Sequence, residues 1–89
     1  ERRYVVGLIN GLLEIENGRL DIAKGILSEA ATIAETEFGD TSPAYAVAIS
    51  HVAFVEANSG DLPNAERRAR RAVEIYRAAP PAGDDHFMA

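Results

Sequence analysis

Two short stretches of this chain carry the same pattern 42 residues apart. Gly18-Arg19-Leu20-Asp21-Ile22-Ala23 and Gly60-Asp61-Leu62-Pro63-Asn64-Ala65 place Gly, Leu and Ala in one register. At the same offset Ala30 meets Ala72 and Ile33 meets Ile75. A period of this length marks a stacked array of helical units, because a single helix pair cannot bury its apolar face without a neighbour. Such an array offers extended surface, so recognition along a surface is the expected kind of work rather than chemistry in a pocket.

The chain has 89 residues, 47% of them hydrophobic. That is one small domain, 1–89, able to bury roughly 60–65% of its unfolded surface. With no cysteine, disulfides and thiolate metal sites are excluded. No uninterrupted apolar run approaches the ~20 residues of a membrane-spanning helix, and a cytoplasmic location is the expectation. The sequence begins at Glu1 without Met and without a secretory-type leader, which points to an excerpt or processed piece of a longer protein. The net charge of −5 argues against nonspecific binding to nucleic acid, which draws on neutralisation of phosphates by Lys and Arg. The charge is unevenly spread: residues 1–60 hold nine acids against four bases, and residues 61–78 hold three acids against five arginines.

Apolar residues Val5, Leu8, Ile9, Leu12, Leu13 and Ile15 recur at helical spacing between Arg2 and Glu16, and Asn17-Gly18 supplies a stop. A second helical pattern runs from Leu20 to about Phe38, with Ala23, Ile26, Leu27, Ala30, Ile33 and Ala34 on one stripe before Gly39-Asp40 ends it. So short a link forces the two helices antiparallel. Thr41-Ser42-Pro43 opens a third helix, with Ser42 as N-cap and Pro43 at the first helical position, where its missing N–H costs nothing. That helix should reach Asn58. Its Ala44, Ala46, Ala48, Ala53 and Ala57 let backbones approach, while Val47, Ile49, Val52, Phe54 and Val55 fill the space between. Asp61 caps a fourth helix, with Pro63 tolerated in its first turn. Leu62, Ala65, Ala69, Ala72, Val73 and Tyr76 are expected on the buried side of this last helix, and Pro80-Pro81 stops it near Ala78. Gly83-Asp84-Asp85-His86-Phe87 echoes Gly39-Asp40-Thr41-Ser42-Pro43 and reads as the start of a third unit or a tail.

The combination Gly-x-Leu-x-x-Ala, an Ala seven residues later, then Gly-Asp and a new helix resembles the tetratricopeptide repeat. It is most similar to the longer variant found in kinesin light chains, whose repeats are joined by a linker of the form Gly-x-x-His-Pro. Small residues at Gly11, Ala23 and Ala30, and again at Ala53, Ala65 and Ala72, stand at the close-approach positions of that motif. The resemblance covers almost the whole chain as two repeats, about 3–40 and 43–82. It departs from the family at Glu14 and Glu56, where a large aromatic is usual, and at Asn10, where Leu is expected and Val52 restores an apolar residue in the second copy. The resemblance implies an all-α fold of two tandem antiparallel hairpins in a right-handed superhelical array. It also implies a concave groove, lined by the first helix of each repeat, that binds a partner helix or peptide. Carried across, the groove positions are Val5, Leu8, Leu12, Ile15 and Glu16 in the first copy and Val47, Ser50, Phe54, Ala57 and Asn58 in the second. Leu12 and Phe54 are the expected hot spots, with Glu16 and Asn58 setting register through polar contacts.

Each functional reading has a plainer rival. The apolar groove stripe becomes ordinary core if the first helix is rotated about its axis. Arg67, Arg68, Arg70, Arg71 and Arg77 invite a nucleic-acid or regulatory role, but Glu66 and Glu74 fall at ion-pairing distance along the helix, which leaves Arg67 and Arg68 as the arginines expected to lack a partner. Little aromatic interleaving is present for base stacking. His51 and His86 lie a whole hairpin apart without the ligand spacing of a zinc site, so no metal is expected and His51 reads as a partly buried packing residue. Glu14 and Glu56 form the nearest approach to a carboxylate pair, about one helix diameter (~10 Å) apart if the first helices are neighbours. No nucleophile, phosphate loop or thiol accompanies them, so no enzyme and no cofactor are expected. If partly buried, they could bind a partner's backbone or Arg. Two repeats leave end faces uncovered. Val73, Ile75 and Tyr76 are expected to face outward there, covered either by Phe87-Met88 or by a second copy in a homodimer.

Overall fold

The computed structural model describes residues 2–79. Four helices follow one another: α1 (Arg2–Glu16), α2 (Leu20–Phe38), α3 (Pro43–Asn58) and α4 (Leu62–Ala78). The four helices span the ranges that the sequence pattern predicts, and the described residues contain no strand. The sequence about 83–89, read as the start of a third unit, lies outside the described residues, as do His86 and the Phe87-Met88 pair.

The first and last turns of the chain are built identically. Gly18 and Gly60 adopt φ of +77° and +89°, a region that L side chains rarely enter. There the N–H of Gly18 donates to Ile15 O and that of Arg19 to Glu14 O at 2.8 Å; the N–H of Gly60 donates to Ala57 O and that of Asp61 to Glu56 O, again at 2.8 Å. Carbonyls that would be orphaned at the helix end are thus satisfied twice by the same motif. The helices beyond these turns begin differently. Asp61 accepts from the Asn64 backbone and side chain, and the side-chain bond holds its carboxyl below the ordinary range. Arg19, at the equivalent place, gives α2 no side-chain cap. The middle link is of another kind: Ser42 Oγ accepts from the Tyr45 N–H at 3.1 Å, capping α3 as expected.

Packing runs between chain neighbours, α1 on α2, α2 on α3 and α3 on α4, and α1 makes no substantial contact with α4. The helices therefore form an open array of two hairpins, not a closed four-helix bundle. α3 sits in the middle of the core and is apolar around most of its circumference, with Ala46, Ala48, Ile49, Val52, Ala53 and Val55 all buried. One core cluster joins Tyr4, Ala30, Ala31, Ala34, Ala46, Ile49, Ala72 and Ile75. The other joins Ala23, Leu27, Val52 and Val55, with Leu8, Ile15 and Leu20 against it. Leu27, with no exposed surface, contributes about 2–3 kcal/mol by its burial. Its place exists because Gly11 faces it from α1.

Two expectations for α4 are corrected. Ile75 is in the core, 2% exposed, and does not face outward. Leu62, Ala69, Val73 and Tyr76, expected on the buried side, are exposed, and Ala65, Ala72 and Ile75 alone form its buried stripe. As the last helix described, α4 has one neighbour, α3, so a narrow stripe suffices.

Candidate partner-binding face

α1 and α3 lie side by side at the surface left free by α2 and α4. Their N-terminal ends are tied by Tyr4, whose hydroxyl donates to Ala44 O at 2.6 Å and whose ring meets Phe38 edge-on at 6.0 Å between centroids. Burial, and after it the charge of a neighbouring Tyr76 phenolate, push the Tyr4 phenol up from its ordinary value. Further along, Leu8 and Ile15 of α1 pack down against the cluster that Ala23 and Leu27 of α2 form with Val52 and Val55 of α3. α1 is therefore anchored by its i, i+7 edge, which leaves the adjoining apolar residues outside.

Those residues enclose an open depression of about 560 Å³, lined by Ile9, Leu12, Leu13, Ile15, Glu16, His51 and Phe54. Leu12 and Phe54 stand 42 residues apart and are 41% and 53% exposed. Of the ten positions carried over from the family, Leu12, Ile15, Glu16 and Phe54 meet here. Val5 is exposed elsewhere on α1, while Leu8 and Val47 are half-buried. Ser50 and Ala57 line a separate depression of about 510 Å³ with Ala53, Leu62, Ala65 and Ala69, and Phe54 forms the ridge between the two. Asn58 is exposed, and its side-chain amide donates to Phe54 O at 2.8 Å within its own helix. Ser50 likewise donates to Ala46 O at 2.7 Å.

Sequence reasoning left Ile9, Leu13 and His51 out of this face. Ile9 and Leu13 are i, i+4 on α1, and with Leu12 they extend the apolar strip around the helix beyond the positions the family pattern marks. His51 is half-buried, and desolvation pushes its pKa below 6.5. Its ring can donate or accept at the edge of an otherwise apolar surface.

The arginine-rich α4 is largely committed to the protein itself. Arg68, expected to lack a partner, donates from Nε to Glu56 Oε1 at 2.8 Å. Arg67 donates to Asn64 Oδ1. Arg70 pairs with Glu66 one turn back, and Arg71 pairs with Glu74 and donates to Asp40 O at 3.0 Å. Both carboxylates singled out in the sequence are likewise held by cations: Glu56 by Lys24 and Arg68, Glu14 by Arg19. Among the described residues no group of three or more His, Asp or Glu is placed to hold a metal ion, and no helix is long and apolar enough to cross a membrane.

A family model for the tetratricopeptide repeat matches residues 8–78, and the chain belongs to the tetratricopeptide repeat family. Tetratricopeptide repeats generally serve as protein–protein interaction modules on a non-catalytic scaffold. No curated protein and no solved structure matches the chain.

Proposed function

We propose that the chain binds a helix or extended peptide of a partner protein along the α1–α3 face, with Leu12 and Phe54 as the principal anchors. In this reading the chain is built of two repeats, 3–40 and 43–82, whose first helices present one surface. The carrying observation is the depression between Leu12 and Phe54, whose lining is apolar but for Glu16 and His51. Soluble domains leave large apolar side chains clustered in the open mainly where something covers them. Ile9, Leu13 and Ile15 supply area, and Glu16 with His51 supplies polar contacts at the rim that fix the orientation of the ligand. An amphipathic helix with i, i+3/i+4, i+7 apolar anchors fits such a trough.

The test is selection of a displayed peptide library on the immobilised chain, followed by titration of recovered peptides against variants. Phe54→Ala and Leu12→Asp are each expected to weaken binding by about thirtyfold or more, the effect of losing a hot spot of ~2 kcal/mol, with helicity by circular dichroism unchanged. Loss of folding in Leu12→Asp would instead make Leu12 part of the core. Recovered peptides that ignore both substitutions would refute the assignment of this face.

A further inference from the structure

One outward strip of α1 begins and ends in opposite charges. Arg2, Val5, Ile9, Leu12 and Glu16 follow one another at steps of three and four residues, which puts them on one side of the helix with Leu13 alongside. Val5, Ile9, Leu12 and Leu13 are 41–53% exposed, and Arg2 and Glu16 are open to solvent. Arg2 stands where the strip borders the groove between α1 and α2, whose wall it shares with Arg3 and Val6. Neither Arg2 nor Glu16 forms an ion pair with another described residue. The cations that follow Glu16 in the chain, Arg19 and Lys24, are held by Glu14 and Glu56.

Such a strip is complementary to itself when reversed. About four turns, roughly 21 Å of helix, separate Arg2 from Glu16, and Ile9 lies midway between them. A second α1 laid antiparallel about a two-fold axis at Ile9 brings Arg2 against Glu16, Val5 against Leu13 and Val6 against Leu12, and the symmetry makes each of these contacts twice. A parallel pair would set Arg2 against Arg2 and Glu16 against Glu16, and like charges at such a contact repel. The charges therefore fix the direction of pairing as well as its register.

We propose that this strip joins two copies of the chain in an antiparallel two-fold dimer, with Ile9 at the axis and an Arg2–Glu16 ion pair at each end. Charge complementarity selects the occupant: α1 itself carries both charges at the separation the strip requires, whereas residues 80–89 contain neither Lys nor Arg to meet Glu16. Ile9, Leu12, Leu13 and Glu16 also line the depression between α1 and α3. A second copy and a partner peptide therefore exclude one another, a consequence that rests on the function proposed above, while the dimer itself does not. In the absence of a partner, the second copy keeps these apolar residues from water.

The test uses the full chain without peptide, so its outcome is independent of whether a partner is found. Sedimentation equilibrium should show monomer and dimer exchanging with concentration. Arg2→Glu and Glu16→Arg chains should each self-associate about tenfold more weakly, the symmetry counting each exposed pair twice, and an equimolar mixture of the two should recover the wild-type affinity. Ile9→Glu should abolish the dimer with helicity by circular dichroism unchanged. The chain has no cysteine, so introduced ones report the pairing. With a short bismaleimide, Ile9→Cys should cross-link to itself, and Val5→Cys should cross-link to Leu13→Cys in a mixture but not to itself. Peptide recovered by selection on the chain should shift the equilibrium to monomer. A chain that stays monomeric at every concentration and does not cross-link through Ile9→Cys would overturn the proposal and leave the strip to another protein. A dimer that survives Ile9→Glu uses a different face, and Val5→Cys cross-linked to itself means parallel pairing; either result overturns it equally.

Discussion

Gly11 of α1 lies so close to Leu27 of α2 that a Cβ on residue 11 would stand 2.5 Å from both Cγ and Cδ2 of the leucine. The first hairpin owes its close approach to this one missing carbon. Leu27 cannot swing aside, because it is fully buried against Val52 and Val55 of the second hairpin. Gly11→Ala should therefore destabilise the fold by about 1–2 kcal/mol, overpacking outweighing the gain of ~1 kcal/mol in helix propensity. Gly25, also within a helix, has nothing within 4 Å of a Cβ position. Gly25→Ala should stabilise by about 0.5–1 kcal/mol. Urea denaturation of the two variants reads both signs.

The ion triad of Glu56, Lys24 and Arg68 links both hairpins through a carboxylate without solvent contact. Removing a cation from a buried anion costs more than the pair itself contributes, because the charge left behind is uncompensated. Arg68→Met is expected to lose about 3 kcal/mol. Glu56→Gln should lose less, roughly 1–2 kcal/mol, since Lys24 and Arg68 retain exposed surface and can turn to water. An Arg68→Met chain within 0.5 kcal/mol of wild type in chemical denaturation, well under the ~3 kcal/mol expected, would show that the triad holds nothing together.

Tyr4 reaches from α1 to the start of α3. Tyr4→Phe keeps the ring against Phe38 and deletes the bond to Ala44 O, so a loss of about 1 kcal/mol is expected. Tyr4→Ala removes ring and bond together and should cost about 3 kcal/mol. Hydrogen exchange should rise first at the amides of the opening turns of α1 and α3.

Desolvation holds the His51 pKa below 6.5 in the folded chain. The unfolded chain therefore takes up the proton first as pH falls, and stability declines from pH 6.5 downward to the folded value. Above 6.5 the contribution is flat. Carboxylates at ordinary values titrate lower, near pH 4, which leaves the window from 5.5 to 7.5 to histidine. His86 is the second histidine of the chain, so the readout is the difference between wild type and His51→Gln. The variant should show the shallower fall in melting temperature between pH 7.5 and 5.5.

The helices were legible because their ends are written locally. Gly18, Gly39 and Gly60 occur where φ is positive, and Ser42-Pro43 and Asp61 announce the helices they cap. The repeat was legible because small residues such as Gly11 and Ala23 recur at positions set by backbone approach. The distribution of exposure was less so. α3 touches neighbours on both sides and is apolar nearly all round, so its sequence carries no directional signal to separate Phe54 from Val55. The pairing of Arg68 with Glu56 crosses from one helix to another, and i, i+4 reasoning along α4 alone could not reveal it. Likewise Ile75 was placed with Val73 and Tyr76 on the uncovered end face, whereas it turns into the core and only Val73 and Tyr76 stay exposed. The groove was half legible: Leu12 and Phe54 follow from the repeat, but Ile9, Leu13 and His51 depend on how far α1 is rotated.

The central claim is that partners dock on α1 and α3 together, and amide chemical-shift mapping of the ¹⁵N-labelled chain tests it most directly. On titration with a peptide selected on the chain, the largest perturbations should cluster at Leu12, Leu13, Ile15, His51 and Phe54. Perturbations confined to the exposed faces of α2 and α4 would contradict it.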